Sequence, residues 1–275
     1  MRKDFIDGRQ FHGLAEPDFV EKYWTDVWRQ QGARKDLLAK IPTKPEYKMM
    51  APVLDSLPQG ARIVDGGCGL GDWIVHFQER GFDALGLDIS RETIAILNER
   101  FPDASFAVGD IRAMDAEDAS ADVYFSWGVF EHFEEGLGPC IREAFRVLKP
   151  GGHLYITVPF DNLRMATKAA LSRVGRVSEP DLERRFYQWR LTRAELAAEL
   201  SREGFEVLQV KPLHKRQGVL RSLHHEFGMS YEWFLTKALS AVIAPVVPGG
   251  VFAHMLMATA RRPLDSDPQD ARPIG

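Results

Sequence analysis

Between Ala61 and Pro159 the chain alternates short β-forming runs with amphipathic helical ones, and this alternation constrains the fold more than any other feature. Ala61 to Asp65 (ARIVD) reads as a strand and runs into a glycine-rich turn. Leu70, Trp73, Ile74 and Phe77 then recur at i, i+3, i+4 and i+7, the spacing of a helix with one buried face. Gly81 closes that helix, Asp83 to Leu87 makes a second strand, and Ser90 caps a helix that turns Ile94, Leu97 and Phe101 inward. Ser105 to Val108 and Ala121 to Ser126 read as further strands. A helix carrying Ile141, Phe145 and Leu148 stops at Pro150-Gly151-Gly152, and His153 to Val158 is a fifth strand. Strands separated by crossover helices pair in parallel, so the pattern predicts a doubly wound α/β sheet. Such sheets bind ligands beyond the carboxyl ends of their strands, which points to the loops starting at Asp65, Asp88, Gly109, Ser126 and Pro159.

Outside this stretch the signals are more varied. From about Pro17 to Lys40, Phe19, Val20, Tyr23, Trp24, Val27 and Trp28 form a broad aromatic stripe at helical spacing, suited to packing on the core or to covering a ligand site. Beyond Phe160 a helical stretch runs from Leu163 to Val174, and Glu179 to Arg190 is rich in charge and aromatics. Thr192 and Glu195 have the spacing of a capping box before Leu196 and Leu200. Phe205 to Leu213 and Val251 to Arg261 read as late strands, with an apolar helix over Ser230 to Ala244 between them. Two cysteines, Cys68 and Cys140, are too few for a disulfide framework or a four-thiolate zinc site, and suit a reducing compartment. The N-terminal residues lack the pattern of a secretory signal, and Pro245, Pro248 and Gly249-Gly250 interrupt the longest uncharged stretch, so the expected location is cytoplasmic.

The chemistry concentrates in the turn Asp65-Gly66-Gly67-Cys68-Gly69-Leu70-Gly71. Glycines let the backbone approach a ligand closely, and the following helix offers unpaired N–H groups. The dinucleotide fingerprint G-x-G-x-x-G needs glycine at position 72, where Asp72 stands, and Asp65 at the strand end would repel a pyrophosphate. A zwitterionic or cationic ligand fits better. Asp88, in Leu87-Asp88-Ile89, ends the second strand, where a carboxylate can accept both hydroxyls of a ribose. Asp110, after the third strand, can accept an adenine amino proton while Ile111 packs on the ring. Carboxylates at successive strand ends describe a nucleoside site.

These residues give the sequence its resemblance to the class I S-adenosylmethionine-dependent methyltransferases, over roughly Pro52 to Pro159 and more weakly through the late strands. Ile63 to Gly71 matches the family's first motif, Asp88 its second-strand acid, and Val108-Gly109-Asp110-Ile111 its adenine-contact motif. Asp122 to His132 (DVYFSWGVFEH) and Arg146 to Gly152 match the segments around the fourth and fifth strands. The resemblance implies a Rossmann-like seven-stranded sheet, mostly parallel with an antiparallel last strand, plus helical lid elements. It places residues 1–50 in an N-terminal helical cap and residues 51–262 in the methyltransferase domain, with helical insertions at about 161–203 and 214–250. Residues 263–275 are expected to be a disordered tail. It sets Asp65, Gly66, Gly67, Gly69 and Gly71 near the methionine moiety, and Asp88, with Ile89 beside it, at the ribose. Asp110 and Ile111 fall at adenine, and Ser126 and Trp127 at the methyl site. Gly66 replaces a more usual leucine-like residue, and Trp127 is larger than the common residue there.

The implied activity is transfer of a methyl group from S-adenosylmethionine to a small-molecule acceptor, at oxygen in the favoured reading. Transfer from a sulfonium needs alignment and desolvation, and a base only where the acceptor must lose a proton. His132 is the candidate base, with Glu131 beside it, and no metal is expected. The alternatives are an NAD-dependent oxidoreductase and a cofactor-binding partner protein without catalysis. The net charge of −4 hides an uneven distribution. Residues 51–160 carry 8 Lys and Arg against 18 Asp and Glu, whereas residues 161–225 carry 13 against 8. An acidic sheet region suits a cationic cofactor. Arg184, Arg185, Arg190, Arg193, Lys215, Arg216 and the His224-His225 pair suit an anionic or amphiphilic acceptor, with peripheral membrane contact left open. Nucleic acid is not an expected partner, because the chain is acidic overall.

Overall fold

The computed structural model describes residues 1–11, 13–31, 37–167 and 184–264. Strand β1 (Arg2–Asp7) and helices α1 (Glu16–Gln31), α2 (Leu37–Lys40) and α3 (Pro45–Leu54) come first. The alternating region follows as β2 (Arg62–Gly66), α4 (Asp72–Glu79), β3 (Asp83–Asp88), α5 (Arg91–Arg100), β4 (Ser105–Val108), β5 (Ala121–Trp127), α6 (Gly138–Val147) and β6 (Leu148–Pro159). After a helical turn at 163–167 (α7) come β7 (Arg184–Arg190), α8 (Arg193–Arg202), β8 (Glu206–Leu213), α9 (Lys215–Phe227), α10 (Phe234–Val246), α11 (Gly249–Phe252) and β9 (Met255–Arg261).

Seven strands form one sheet in the order β4-β3-β2-β5-β6-β9-β8. The pairs β2 with β3, β3 with β4, β2 with β5 and β5 with β6 are parallel, and β9 runs antiparallel to both β6 and β8. Period-2 alternation builds the two faces of the core. Tyr124, Leu154 and Ile156 pack with Ile141, Phe145, Leu196 and Leu200 on one face. Val123, Phe125 and Tyr155 pack with Met50, Leu54, Ile74 and Phe77 on the other. Each buried side chain of this size contributes about 1.5–3 kcal/mol by leaving water. Strand order reverses between β2 and β5, so the crevice for a ligand opens at their carboxyl ends.

The expected caps are present. Ser90 accepts the Thr93 N–H at the start of α5, and Thr192 and Glu195 form the reciprocal box at the start of α8. The N-terminal region departs from a purely helical cap, because β1 pairs antiparallel with β7 in a separate two-stranded sheet. Residues 2 to 7 alternate burial weakly, and their partner lies about 180 residues away, so local pattern does not reveal the pairing. The basic stretch from Lys215 is helical as α9, and the last strand begins at Met255 rather than Val251 because α11 takes the residues before it. Part of the expected helix 163–174 and residues 265–275 of the tail lie outside the described residues.

Candidate functional site

A cavity of about 240 Å³ opens at the crevice, between the turns after β2, β3, β4 and β5 and the underside of α1. The turn after β2 is shaped by its glycines. Gly67 has φ +88°, and a Cβ there would lie 2.4 Å from Val129. At Gly69, with φ +50°, a Cβ would lie 2.8 Å from the Trp28 ring. The Gly67 and Cys68 N–H groups both donate to the Leu87 carbonyl, at 2.7 and 2.8 Å, which ties this turn to the end of β3.

Three carboxylates edge the cavity, and their environments differ. Asp65 is buried, and its Oδ1 has no hydrogen-bond partner among the described residues. Burial, and then the neighbouring charge of Asp88, push its pKa well above the ordinary carboxylate range. An unpaired buried acid at the base of a cavity is chemically suited to a cationic or amine-bearing ligand. Asp88 is pre-positioned: Oδ2 accepts the Gly69 N–H at 3.0 Å and Oδ1 the Ser90 N–H at 2.9 Å. Burial raises its pKa, partly opposed by those two N–H groups. Each oxygen keeps lone-pair capacity for a ribose hydroxyl. Burial alone would raise the Asp110 pKa, but Arg112 bonds both of its oxygens and brings it below the usual value. Arg112 also holds Glu135 at 2.9 Å, so Asp110 reaches the cavity edge as part of an ion-pair network.

Aromatic side chains form the opposite wall. Trp24 and Trp28, one turn apart on α1, stack at 5.3 Å between ring centroids and line the cavity with Trp73 and Trp127. The indole N–H groups of Trp28 and Trp127 are buried without partners among the described residues, which leaves two donors in the cavity wall. Helix α1 is fastened by Thr25 to Ser90 at 2.6 Å, by Arg29 to Glu92, and by Arg185, which donates to the Phe11 and Leu14 carbonyls.

His132 meets this wall from below, with its ring 4.9 Å from both Trp24 and Tyr187. Its Nδ1 lies 2.7 Å from the Tyr187 carbonyl oxygen. A carbonyl only accepts, so Nδ1 carries the proton and the Nε2 lone pair is exposed to a reactant. Burial drives the His132 pKa down to about 4, against the backbone carbonyls of Tyr187 and Gly128, which would accept from a charged ring. Glu131 lies 3.9 Å from Nε2, fully desolvated, and burial pushes its pKa up to about 8, partly opposed by its own backbone and by the charge of Arg190. Among the described residues no cluster of three His, Cys, Asp or Glu side chains is placed to hold a metal ion.

Of the residues singled out from the sequence, Asp65, Gly67, Gly69, Asp88, Ile89, Asp110, Ile111, Trp127 and His132 line this one cavity. Gly66, Gly71, Ser126 and Glu131 stand behind it. Ser126 is buried and donates its hydroxyl to the Gly66 carbonyl at 2.6 Å, so it braces the glycine turn. A Cβ at Gly66 would lie 1.9 Å from the Tyr124 hydroxyl, and that crowding accounts for the departure from a leucine-like residue. Val20, Cys68, Leu70, Trp73, Val129 and Phe133 also line the cavity and were not singled out as site residues. Their only signal in the sequence is nearness to the motifs or to the aromatic stripe.

The sheet order and the reversal at β2 and β5 are those of a class I methyltransferase fold, with acids at successive strand ends edging the cavity. Comparison with known proteins agrees. The methyltransferase domain family matches residues 63–152. A demethylmenaquinone methyltransferase of Renibacterium salmoninarum is 29% identical over 51% of this chain and 58% of its own length. A 2-methyl-6-phytyl-1,4-hydroquinone methyltransferase of Synechocystis is 35% identical over 38% of this chain and 33% of its own. The chain thus spans between a third and three fifths of these curated relatives. In fold it is similar to the Haemonchus contortus phosphoethanolamine N-methyltransferase 2 in complex with S-adenosyl-L-methionine. That likeness has a TM-score of 0.58 and 17% identity, and covers 92% of this chain and 61% of the other. Residues 63–152 thus carry a methyltransferase domain, similar to those of S-adenosylmethionine-dependent methyltransferases, and S-adenosylmethionine is the cofactor of such domains. The buried, unpaired Asp65, the two unpartnered indole N–H groups and the pre-set Asp88 fit that cofactor, and the family match sets the nicotinamide alternative aside.

Proposed function

We propose that this protein methylates a hydroxyl oxygen of a small amphiphilic molecule. The single observation that carries this reading is the His132 tautomer, with Nδ1–H committed to the Tyr187 carbonyl and Nε2 left as an acceptor at the cavity wall. When bound, S-adenosylmethionine supplies an electrophilic methyl group on a sulfonium. Asp88 would hold the ribose, Asp65 the methionine amine, and Ile89 and Ile111 the faces of the adenine. Trp24, Trp28 and Trp127 exclude water, so that an acceptor hydroxyl is not outcompeted by solvent. His132 Nε2 takes the hydroxyl proton, and its depressed pKa keeps it unprotonated at neutral pH. Glu131, 3.9 Å from Nε2, is mostly a neutral acid at pH 7 because burial raises its pKa to about 8.

The amphiphilic character is supported by α10 and its approach. Trp233, Phe234, Leu235, Val242 and Val246 are exposed there, next to the basic α9. No helix among the described residues is long and apolar enough to cross a membrane, so this face suits contact with an apolar acceptor or a lipid surface rather than insertion across it.

Calorimetric titration with S-adenosylhomocysteine tests the cofactor assignment. Binding is expected, and Asp88→Ala is expected to weaken it by about 1–3 kcal/mol through lost charged hydrogen bonds. No binding to the unaltered protein would overturn the reading. Labelled S-adenosylmethionine with a lysate divided into lipid, small-molecule, protein and RNA fractions then identifies the acceptor. Label in RNA or protein alone would refute the small-molecule assignment.

A further inference from the structure

A second cavity, of about 330 Å³, lies beyond the first and is lined among others by Asn162, Arg164, Arg190, Arg221, His225 and His254. Its lining contains no carboxylate. The cavity sits at the carboxyl end of β6 and the start of β9, where Pro159 pairs with Met255. The β5 end, with Trp127 and Gly128, is the next strand over, since β6 lies between β5 and β9. Two strand spacings and two residues along the strands separate Gly128 from His254, a span of about 12 Å. Glu131 lies buried between these ends: its Oε1 would be 3.4 Å from a Cβ at Gly128, and the charge of Arg190 acts on it.

The positive charge here is only partly answered. Arg190 is buried and paired with Asp4, which Gln188 also contacts at 2.9 Å. Arg164 pairs through one terminal nitrogen with Glu226, and its Nε is buried without a partner. Arg221 makes no hydrogen bond or ion pair with another described residue. Helix α9 carries it to this position because Gly218, three residues earlier on the same face, allows contact with the chain before β9. A Cβ at Gly218 would lie 1.6 Å from the Phe252 carbonyl oxygen. His254 is held neutral, its pKa driven to about 3 by burial and then by Arg221, Arg190, His214 and Arg164. Converging guanidinium groups, a neutral imidazole and a lining without a carboxylate are the complement of an oxyanion.

We propose that this second cavity binds an oxyanionic group, phosphate or carboxylate, carried by the methyl acceptor. The inference rests on the reading of the first cavity as the methyl-donor site. The acceptor's anion anchors in Arg164, Arg190 and Arg221, while the remainder of the molecule reaches toward His132 Nε2. Such an anchor positions the reacting oxygen without using the acidic cofactor cavity.

The test uses the full chain saturated with S-adenosylhomocysteine, titrated in separate arms with inorganic phosphate and with acetate, and compares Arg221→Gln. At least one anion is expected to bind, and Arg221→Gln to weaken it about 10- to 100-fold, the effect of losing charge-assisted hydrogen bonds. The affinity for S-adenosylhomocysteine and the melting temperature are expected to stay unchanged in the variant. Preference for phosphate assigns a phosphate ester, and preference for acetate a carboxylic acid. Absence of binding in both arms, or equal anion binding by Arg221→Gln, would overturn the anion site. Failure of S-adenosylhomocysteine to bind would instead overturn the methyl-donor reading, so the two failures are separable.

Discussion

Replacing Asp65 by Asn should make the ligand-free protein more stable and the cofactor complex weaker. The side chain is 2% exposed, its Oδ1 has no partner among the described residues, and its pKa lies well above the ordinary value because of burial and the nearby Asp88. A carboxyl whose folded pKa exceeds its unfolded one binds more protons in the folded state over the interval between them. Stability contributed by that proton is full below the unfolded value of 3.8 and declines as pH rises through the window. Asn is nearly isosteric and has no charge to desolvate, so the advantage of the variant grows with pH. Removing an acid that must otherwise ionise away from water is worth about 1–3 kcal/mol. With an unfolding entropy near 2.1 cal/mol/K per residue, that is a rise of about 2–5 °C for a chain of this size. Loss of the charge should cost cofactor binding about 1.5–3 kcal/mol, or roughly 10- to 150-fold in affinity. Thermal unfolding at pH 5 and pH 8, paired with calorimetric titration of S-adenosylhomocysteine, checks both signs. An Asp65→Asn protein that melts lower than the parent at pH 8, or that binds S-adenosylhomocysteine equally well, would refute the reasoning.

Glu131→Gln should flatten the alkaline side of the stability profile. Its folded pKa of about 8 stands above the model-peptide value of 4.5, so its contribution falls as pH rises between them. His132, at about 4 against 6.5, contributes the opposite slope and offsets it up to about pH 6.5. The net decline is therefore concentrated between about pH 6.5 and 8 and amounts to about 2 kcal/mol. Urea midpoints at pH 6 and pH 8.5 that drop equally in parent and variant would contradict this. Gly66→Ala places a methyl group 1.9 Å from the buried Tyr124 hydroxyl, and overpacking of this kind costs about 1–3 kcal/mol. Denaturant unfolding should show the loss, and a midpoint unchanged from the parent would mean that the turn relaxes freely.

Much of the candidate site was legible because it is local. Asp65, Asp88 and Asp110 each end a strand whose hydrophobic pattern is visible, and parallel pairing brings consecutive strand ends to one edge. Capping by Ser90, and the box of Thr192 with Glu195, depend on residues three apart and are equally readable. The aromatic stripe of α1 was visible as a stripe, but its two uses were left open. Its place over the cavity depends on Thr25 meeting Ser90 and Arg185 reaching the Phe11 and Leu14 carbonyls, contacts spanning 65 to 174 residues.

The sequence by itself determined the α/β alternation and the acids at the strand ends, because each is written in periodicity or spacing over a few residues, whereas the seven-stranded expectation came from the family resemblance of its motifs. Tertiary structure alone decided the roles of the remaining groups. The Tyr187 carbonyl sets the His132 tautomer from 55 residues away. Ser126 braces a turn instead of facing the cavity because its hydroxyl finds the Gly66 carbonyl. Asn162 after β6, Arg190 in β7, Arg221 in α9 and His254 just before β9 become one cationic cavity through packing at the ends of these elements. Charge and polarity are properties of residues, but a site is a property of which side chains burial brings together and leaves without partners.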